Sequence, residues 1–173
     1  MSENMTELEN VKVSATVIVI SKDNKALIVQ RPPDKAFPNL WTVAGGKIQT
    51  TDGIPHSEGF RYYSVESCAR RELFEETGIW VEQFVGSEIL HYFCSIMTIW
   101  GDTRRVILSF YVHLNRDAKD VKIKLDECQA YRWIEDYMID SYNFIPDIGE
   151  EIKDVFKILE RERREIVERI IHG

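Results

Sequence analysis

Glu72, Glu75 and Glu76 stand at i, i+3 and i+4, so on a helix their three carboxylates project from one face. Like charges at this spacing repel by roughly 0.2–0.5 kcal/mol per pair on an isolated helix. They also fall toward the C-terminal end of the helix that the surrounding pattern predicts, where the macrodipole disfavours anions. A bound divalent cation offsets both effects, and oxygen-only ligands select hard ions such as Mg2+ or Mn2+ over zinc. Alone, the three glutamates fit either a solvated acidic face or an ion site.

Their context favours the ion site. Gly45-Gly46 closes a predicted strand and lets a backbone carbonyl approach an ion or ligand closely. Ala69 and Leu73, at i and i+4, would pin the helix on a sheet. Arg71 lies i, i+4 from Glu75 and can orient that carboxylate. Arg31, Lys35 and Lys47 are candidates for holding phosphates, or else ordinary surface charges. Trp41, Tyr62, Tyr63, Phe93 and Trp100 either stack on a base or fill a core. Cys68, Cys94 and Cys128 are far apart, odd in number and without C-x-x-C spacing, which reads as buried free thiols in a reducing compartment.

The elements that must position these residues follow from periodicity. Residues 1–10 read as a polar tail. Val11 to Ile20 reads as a strand, half-buried at first and then buried on both faces, and Ala26 to Gln30 as its hairpin partner. Trp41 to Ala44 predicts a short strand, and Gln49 to Phe60 a surface loop. Ser64 to Thr77 has helical spacing, with Gly78 at the C′ position. Ile79 to Trp100 and Arg105 to Leu114 are rich in β-branched and aromatic residues and read as strands, as does Gln129 to Ile134. Pro146 opens a last helix, Asp147 to Ile171, whose stripe runs from Ile152 through Leu159 and on to Ile166, Val167 and Ile170. The charged stretch Glu160 to Arg169 either projects or pairs with a second copy in a homodimer.

Bulk properties narrow the classes. The chain has 173 residues and is 44% hydrophobic, which suits one domain, from residue 11 to 173, with a real core. A net charge of −7 argues against duplex nucleic acid as partner. No secretory h-region and no stretch near the ~20 apolar residues of a membrane span is found, so a cytoplasmic protein without a membrane partner is expected.

Arg71, Glu72, Leu73, Glu75, Glu76, Gly78 and Ile79 match, in full, the second half of the signature G-x5-E-x7-R-E-U-x-E-E-x-G-U, with U apolar. Here the chain resembles the Nudix hydrolase (MutT-like) family. Gln30-Arg31-Pro32-Pro33, Phe37-Pro38, Trp41 and Gly45-Gly46-Lys47 extend the likeness, which is sharpest from Gln30 to Ile79. The resemblance implies an α+β fold, a mixed sheet sandwiched between helices. It also implies Mg2+, with Mn2+ as substitute, held by Glu72, Glu75, Glu76 and the carbonyl of Gly46. The reaction implied is attack of water on a diphosphate linkage of a small nucleotide-derived substrate. Glu75, Glu76 or Glu127 would take the proton, while Arg31, Lys35 and Lys47 hold outer phosphates. Glu127 precedes Tyr131-Arg132-Trp133 in a loop acid position that relatives use as base or ligand; a solvated loop carboxylate is the other reading.

The first half of the signature departs from the family. Counted back from Arg71, its glutamate falls on Tyr63, and Gly46 lies 25 residues before Arg71 where 14 are expected. About eleven residues are therefore inserted, within about 48–63. The absent glutamate ties loop to helix in the family, and Glu58 and Glu66 are the substitutes within reach. The insert is either a lid or specificity loop, or an uninvolved excursion. The absent acid also admits a non-catalytic nucleotide-binding or sensing module. A diphosphate isomerase of the same fold is a third reading, for which the chain offers no persuasive cysteine nucleophile.

Overall fold

The computed structural model describes residues 11–82, 86, 88–100 and 103–172, with Trp100 as backbone only. The expected polar tail lies outside them. Strand β1 (Lys12–Ile20) organises the rest. It runs parallel to β8 (Thr103–His113) along its whole length, and antiparallel to β4 (Ala44–Lys47) and β2 (Ala26–Gln30) on its other edge. β2 also pairs with β3 (Trp41–Thr42) and β9 (Ala130–Ile134), and β7 (His91–Trp100) forms the edge beside β8. Parallel and antiparallel pairs share one sheet of seven strands, as expected.

Alternation along β1 builds two cores. Ala15, Val17 and Val19 pack with Cys68, Ala69 and Leu73 of helix α1 (Ser64–Thr77), while Ile18 and Ile20 pack with Ile152, Val155 and Phe156 of α2 (Ile148–His172). Helices thus cover both faces, the α/β/α arrangement read from the sequence. Leu73 is fully buried, and burying such a side chain contributes roughly 1.5–3 kcal/mol. α2 is further held by Ser109, whose hydroxyl donates to the buried Glu151 at 2.7 Å.

Four expectations need correction. The predicted strand from Trp41 to Ala44 is two, because the chain leaves β2 at Thr42 and joins β1 at Ala44. The segment after Ile79 becomes a strand only at His91; before it stands an isolated bridge between Glu82 and Ile89, with residues 83–85 and 87 outside the description. The inserted loop is a hairpin, β5 (Ile54–Ser57) and β6 (Phe60–Tyr62), turned at Gly59 with φ 78°. The stripe on α2 packs only as far as Leu159, and Ile166, Val167 and Ile170 stay exposed.

Candidate active site

Helix α1 ends where the local chemistry requires. Gly78 adopts φ 71°, and its N–H donates to the Phe74 carbonyl at 2.8 Å. The next orphan carbonyls, of Glu76 and Thr77, accept from the N–H groups of Lys124 and Lys122. This docks the loop that precedes β9, and with it Glu127, onto the acidic end of the helix. On the other side α1 meets β4. The Gly45 N–H donates to Glu76 Oε2 at 3.2 Å, and a Cβ on Gly46 would overlap the Glu72 carboxylate. A Cβ on Gly45 would run into the Ala15 carbonyl and Thr16 of β1. Both glycines therefore serve close approach, one to the sheet and one to the acid.

Arg71 is the hub. Its Nε and Nη2 grip the two oxygens of Asp52 at 2.8 and 3.0 Å. Nη1 donates to Glu72 at 2.7 Å and Glu75 at 3.3 Å, and Nη2 also reaches the Lys47 carbonyl. Asp52 is 5% exposed and accepts a third bond from the Gln49 N–H. This corrects the expectation of a missing acid. Five residues separate Gly46 from Asp52, so the spacing G-x5-acid is intact, and the eleven extra residues lie after the acid. Counting forward from Gly46 finds it; counting back across the insert landed on Tyr63. Tyr63 instead caps the start of α1 at φ 57°, half-exposed. Glu58 and Glu66 are absent from the contacts of Arg71.

Burial sets the electrostatics. Glu76 is 9% exposed; desolvation, joined by the charges of Glu72 and Glu127 and opposed by the Gly45 N–H and Arg31, pushes its carboxyl up to about 8. Glu127 is half-exposed, with Lys35 and Lys124 at 3.7 and 3.6 Å. Arg31 folds back to the Ala36 carbonyl while staying near enough to act on Glu76. Lys47 departs from this group: paired with Ser14 on β1, it lines a shallow depression with Val11, Lys12, Val13 and Ile48. Lys124 joins the site unannounced, since in sequence it is one more charge in a charged loop. Trp41 packs edge-on against Tyr142 and Phe93 joins the α2 core; Tyr62 and Tyr63 are exposed, and the Trp100 side chain lies outside the description. Burial pushes the thiols of Cys68 and Cys128 up to about 12, which makes them poor nucleophiles.

A family model described as the NUDIX domain matches residues 11–136, well over half of the chain. The chain belongs to the Nudix family. Membership supports pyrophosphohydrolase activity in general terms. The MutT protein from Methanosarcina mazei Go1 is similar in structure, with a TM-score of 0.62 at 19% identity over 90% of this chain and 98% of that one. A C. elegans Ap4A hydrolase gives 0.64 at 17% identity, covering 87% and 98%. The NUDIX domain of Shewanella oneidensis NrtR, complexed with ADP ribose, gives 0.66 at 15% identity, covering 92% and 99%. These likenesses speak for the Nudix fold. No curated protein matches.

In this Nudix protein no three metal-ligating side chains are gathered into a ready cage among the described residues. The reason is visible: Arg71 draws Glu72 and Glu75 toward Asp52, while Glu76 bonds the Gly45 N–H. The donor set nevertheless fits a hard cation, being all oxygen. The tight seat of Glu72 on Gly46 brings that carboxylate against the glycine loop, as a shared ion would need. Gly46→Ala should therefore displace Glu72 and weaken Mn2+ binding by at least about ten-fold, by analogy with outer-sphere losses of 10–100-fold, while circular dichroism stays that of the parent.

Proposed function

We propose that this protein is a divalent-cation-dependent pyrophosphohydrolase that adds water to a phosphorus of a small nucleotide-derived diphosphate. The observation that carries this reading is the docking of the acidic helix on the glycine loop, Glu76 on the Gly45 N–H and Glu72 against Gly46, braced by Arg71 and Asp52. Glu72, Glu75, Glu76 and the carbonyl of Gly46 would hold Mg2+, or Mn2+ in its place. When bound, the cation neutralises phosphate oxygens and lowers the pKa of water. Glu75 and Glu127 are open to solvent whereas Glu76 is buried, so the water's proton falls to Glu75 or Glu127 and Glu76 acts as ligand. Arg31, Lys35 and Lys124 bind and orient the outer phosphates. Ap4A and ADP ribose, named with two structural neighbours, are the first compounds to try.

The sensing-module reading arose from the absent signature acid. Asp52 supplies that acid, which removes the reason for preferring it. Mn2+ titration followed by electron paramagnetic resonance tests the ligand set without a substrate. Glu72→Gln and Glu75→Gln should each weaken binding by about ten-fold or more. A wild-type protein that leaves added Mn2+ free in solution would contradict the proposal.

A further inference from the structure

We propose that Arg61, on the inserted hairpin β5–β6, is a positioning residue that holds Asp52, and through Arg71 the carboxylate of Glu72, in place; its metal-binding consequence rests on the proposed function. Arg61 turns back from β6 onto the base of the insert. Its Nε donates to the Asp52 carbonyl at 2.7 Å, and its Nη2 to the carbonyls of Thr51 and Gly53, both at 2.8 Å. Three consecutive carbonyls thus converge on one guanidinium. The middle one belongs to the residue whose side chain grips Arg71, and Arg71 in turn bonds Glu72 beside Gly46.

The insert explains why such a clasp is needed. The family spacing leaves seven residues between the acid and the arginine, whereas eighteen separate Asp52 from Arg71 here. A longer tether holds the acid less firmly, because every further backbone residue that must be ordered adds conformational entropy to be overcome. The hairpin brings no core to offset this: Ile54, Phe60 and Tyr62 are exposed, and neither core cluster includes a hairpin residue. What fixes its base is polar and close. Gly53 sits at φ 89° where a Cβ would press on the Tyr62 carbonyl and Ser64, and Arg61 closes the same junction from the other strand. The planar fork matters, because a lysine ammonium cannot place donors along three successive carbonyls in the same fixed plane. The insert thereby braces the loop that a short tether would otherwise hold.

The test compares Arg61→Ala and Arg61→Lys with Phe60→Ala, an exposed neighbour on the same hairpin. Two quantities are read: the Mn2+ dissociation constant, and the Arg71 Nε–H resonance in a 1H–15N spectrum, which the Asp52 bond protects from exchange. Arg61→Ala should raise the Mn2+ constant about ten-fold and lose the Arg71 signal. Arg61→Lys should fall between it and wild type, and Phe60→Ala should match wild type. Excess Mn2+ should restore turnover to Arg61→Ala at unchanged KM, which a general loss of structure would not allow. Wild-type values in Arg61→Ala overturn the proposal, as does an equal effect from Phe60→Ala. If Arg61→Ala fails to fold, Arg61→Lys decides on the same two readings. If wild-type protein binds no Mn2+, the proposed function falls, and the Arg71 signal alone then decides for or against Arg61.

Discussion

Glu76→Gln is expected to lower turnover by at least about 100-fold, since loss of a proposed direct ligand should cost no less than loss of an outer-sphere partner. In metal-free protein at pH 8 the same change should raise the melting temperature. Burial, first, and the charges of Glu72 and Glu127 keep the Glu76 proton in place to about pH 8, against 4.5 for the ordinary carboxyl. Between those values the folded chain holds more protons than the unfolded one, so its stability falls as pH rises. Glutamine still offers an oxygen to the Gly45 N–H and carries no charge to desolvate. The variant should therefore match wild type below about pH 4.5 and exceed it increasingly toward pH 8. Moving the carboxyl from 4.5 to about 8 puts the gain at about 4 kcal/mol at pH 8, or roughly 8–16 °C for a chain of this size. Calorimetry of both proteins with chelator at pH 5 and pH 8 checks it. An equal gap at both values would show that the carboxyl is not held protonated by its surroundings.

Asp52→Ala should cost about 2–4 kcal/mol of stability and weaken metal binding as well. The loss lies toward the lower end for a buried pair because Arg71 keeps Glu72 and Glu75 as partners. Burial pushes the Asp52 carboxyl up, but the bonds from Arg71 and the Gln49 N–H outweigh it and leave it below its ordinary range. The stability it contributes is thus complete above about pH 4, the unfolded value, and is lost as pH falls through the lower folded one. Urea unfolding of wild type and Asp52→Ala should differ most at neutral pH and converge in strong acid. A gap that stayed constant down to pH 2 would mean that the ion pair is not its source.

What could be read from the sequence was what is decided locally. The bounds of α1 and the Gly78 cap follow from helical spacing and a single left-handed residue, and β1 follows from alternation over ten residues. The acidic triplet was likewise legible, because its spacing is short; Gly46 stood out at the close of a strand, but its seat against Glu72, 26 residues on, is made by the fold. Asp52 was not legible, since its role is fixed by a partner nineteen residues away, and the insert between them breaks the signature spacing when it is read back from Arg71. The β5–β6 hairpin escaped because Ile54-Pro55-His56-Ser57 shows no apolar alternation; it is held by Arg61 rather than by a buried face. Lys124 looks like any solvated lysine in sequence; a local turn sets it beside Glu127, and the bond from its N–H to the Glu76 carbonyl brings both to the end of α1. For Lys47, which the sequence leaves as phosphate binder or surface charge, the structure favours the second. It follows Gly46 in sequence, yet alternation on β4 turns it to the face away from Glu72.

The proposed cation-dependent hydrolysis of a diphosphate linkage at Glu72, Glu75 and Glu76 is tested by phosphate release from a panel of nucleoside diphosphate derivatives, nucleoside triphosphates and dinucleoside polyphosphates. A coupled phosphatase or pyrophosphatase reports the products. Each compound is run with Mg2+, with Mn2+ and with chelator, on wild type and on Glu76→Gln. At least one substrate class should turn over only with the cation, and that turnover should collapse in the variant. Binding without turnover across the panel, or turnover that survives chelation or the loss of Glu76, would contradict it.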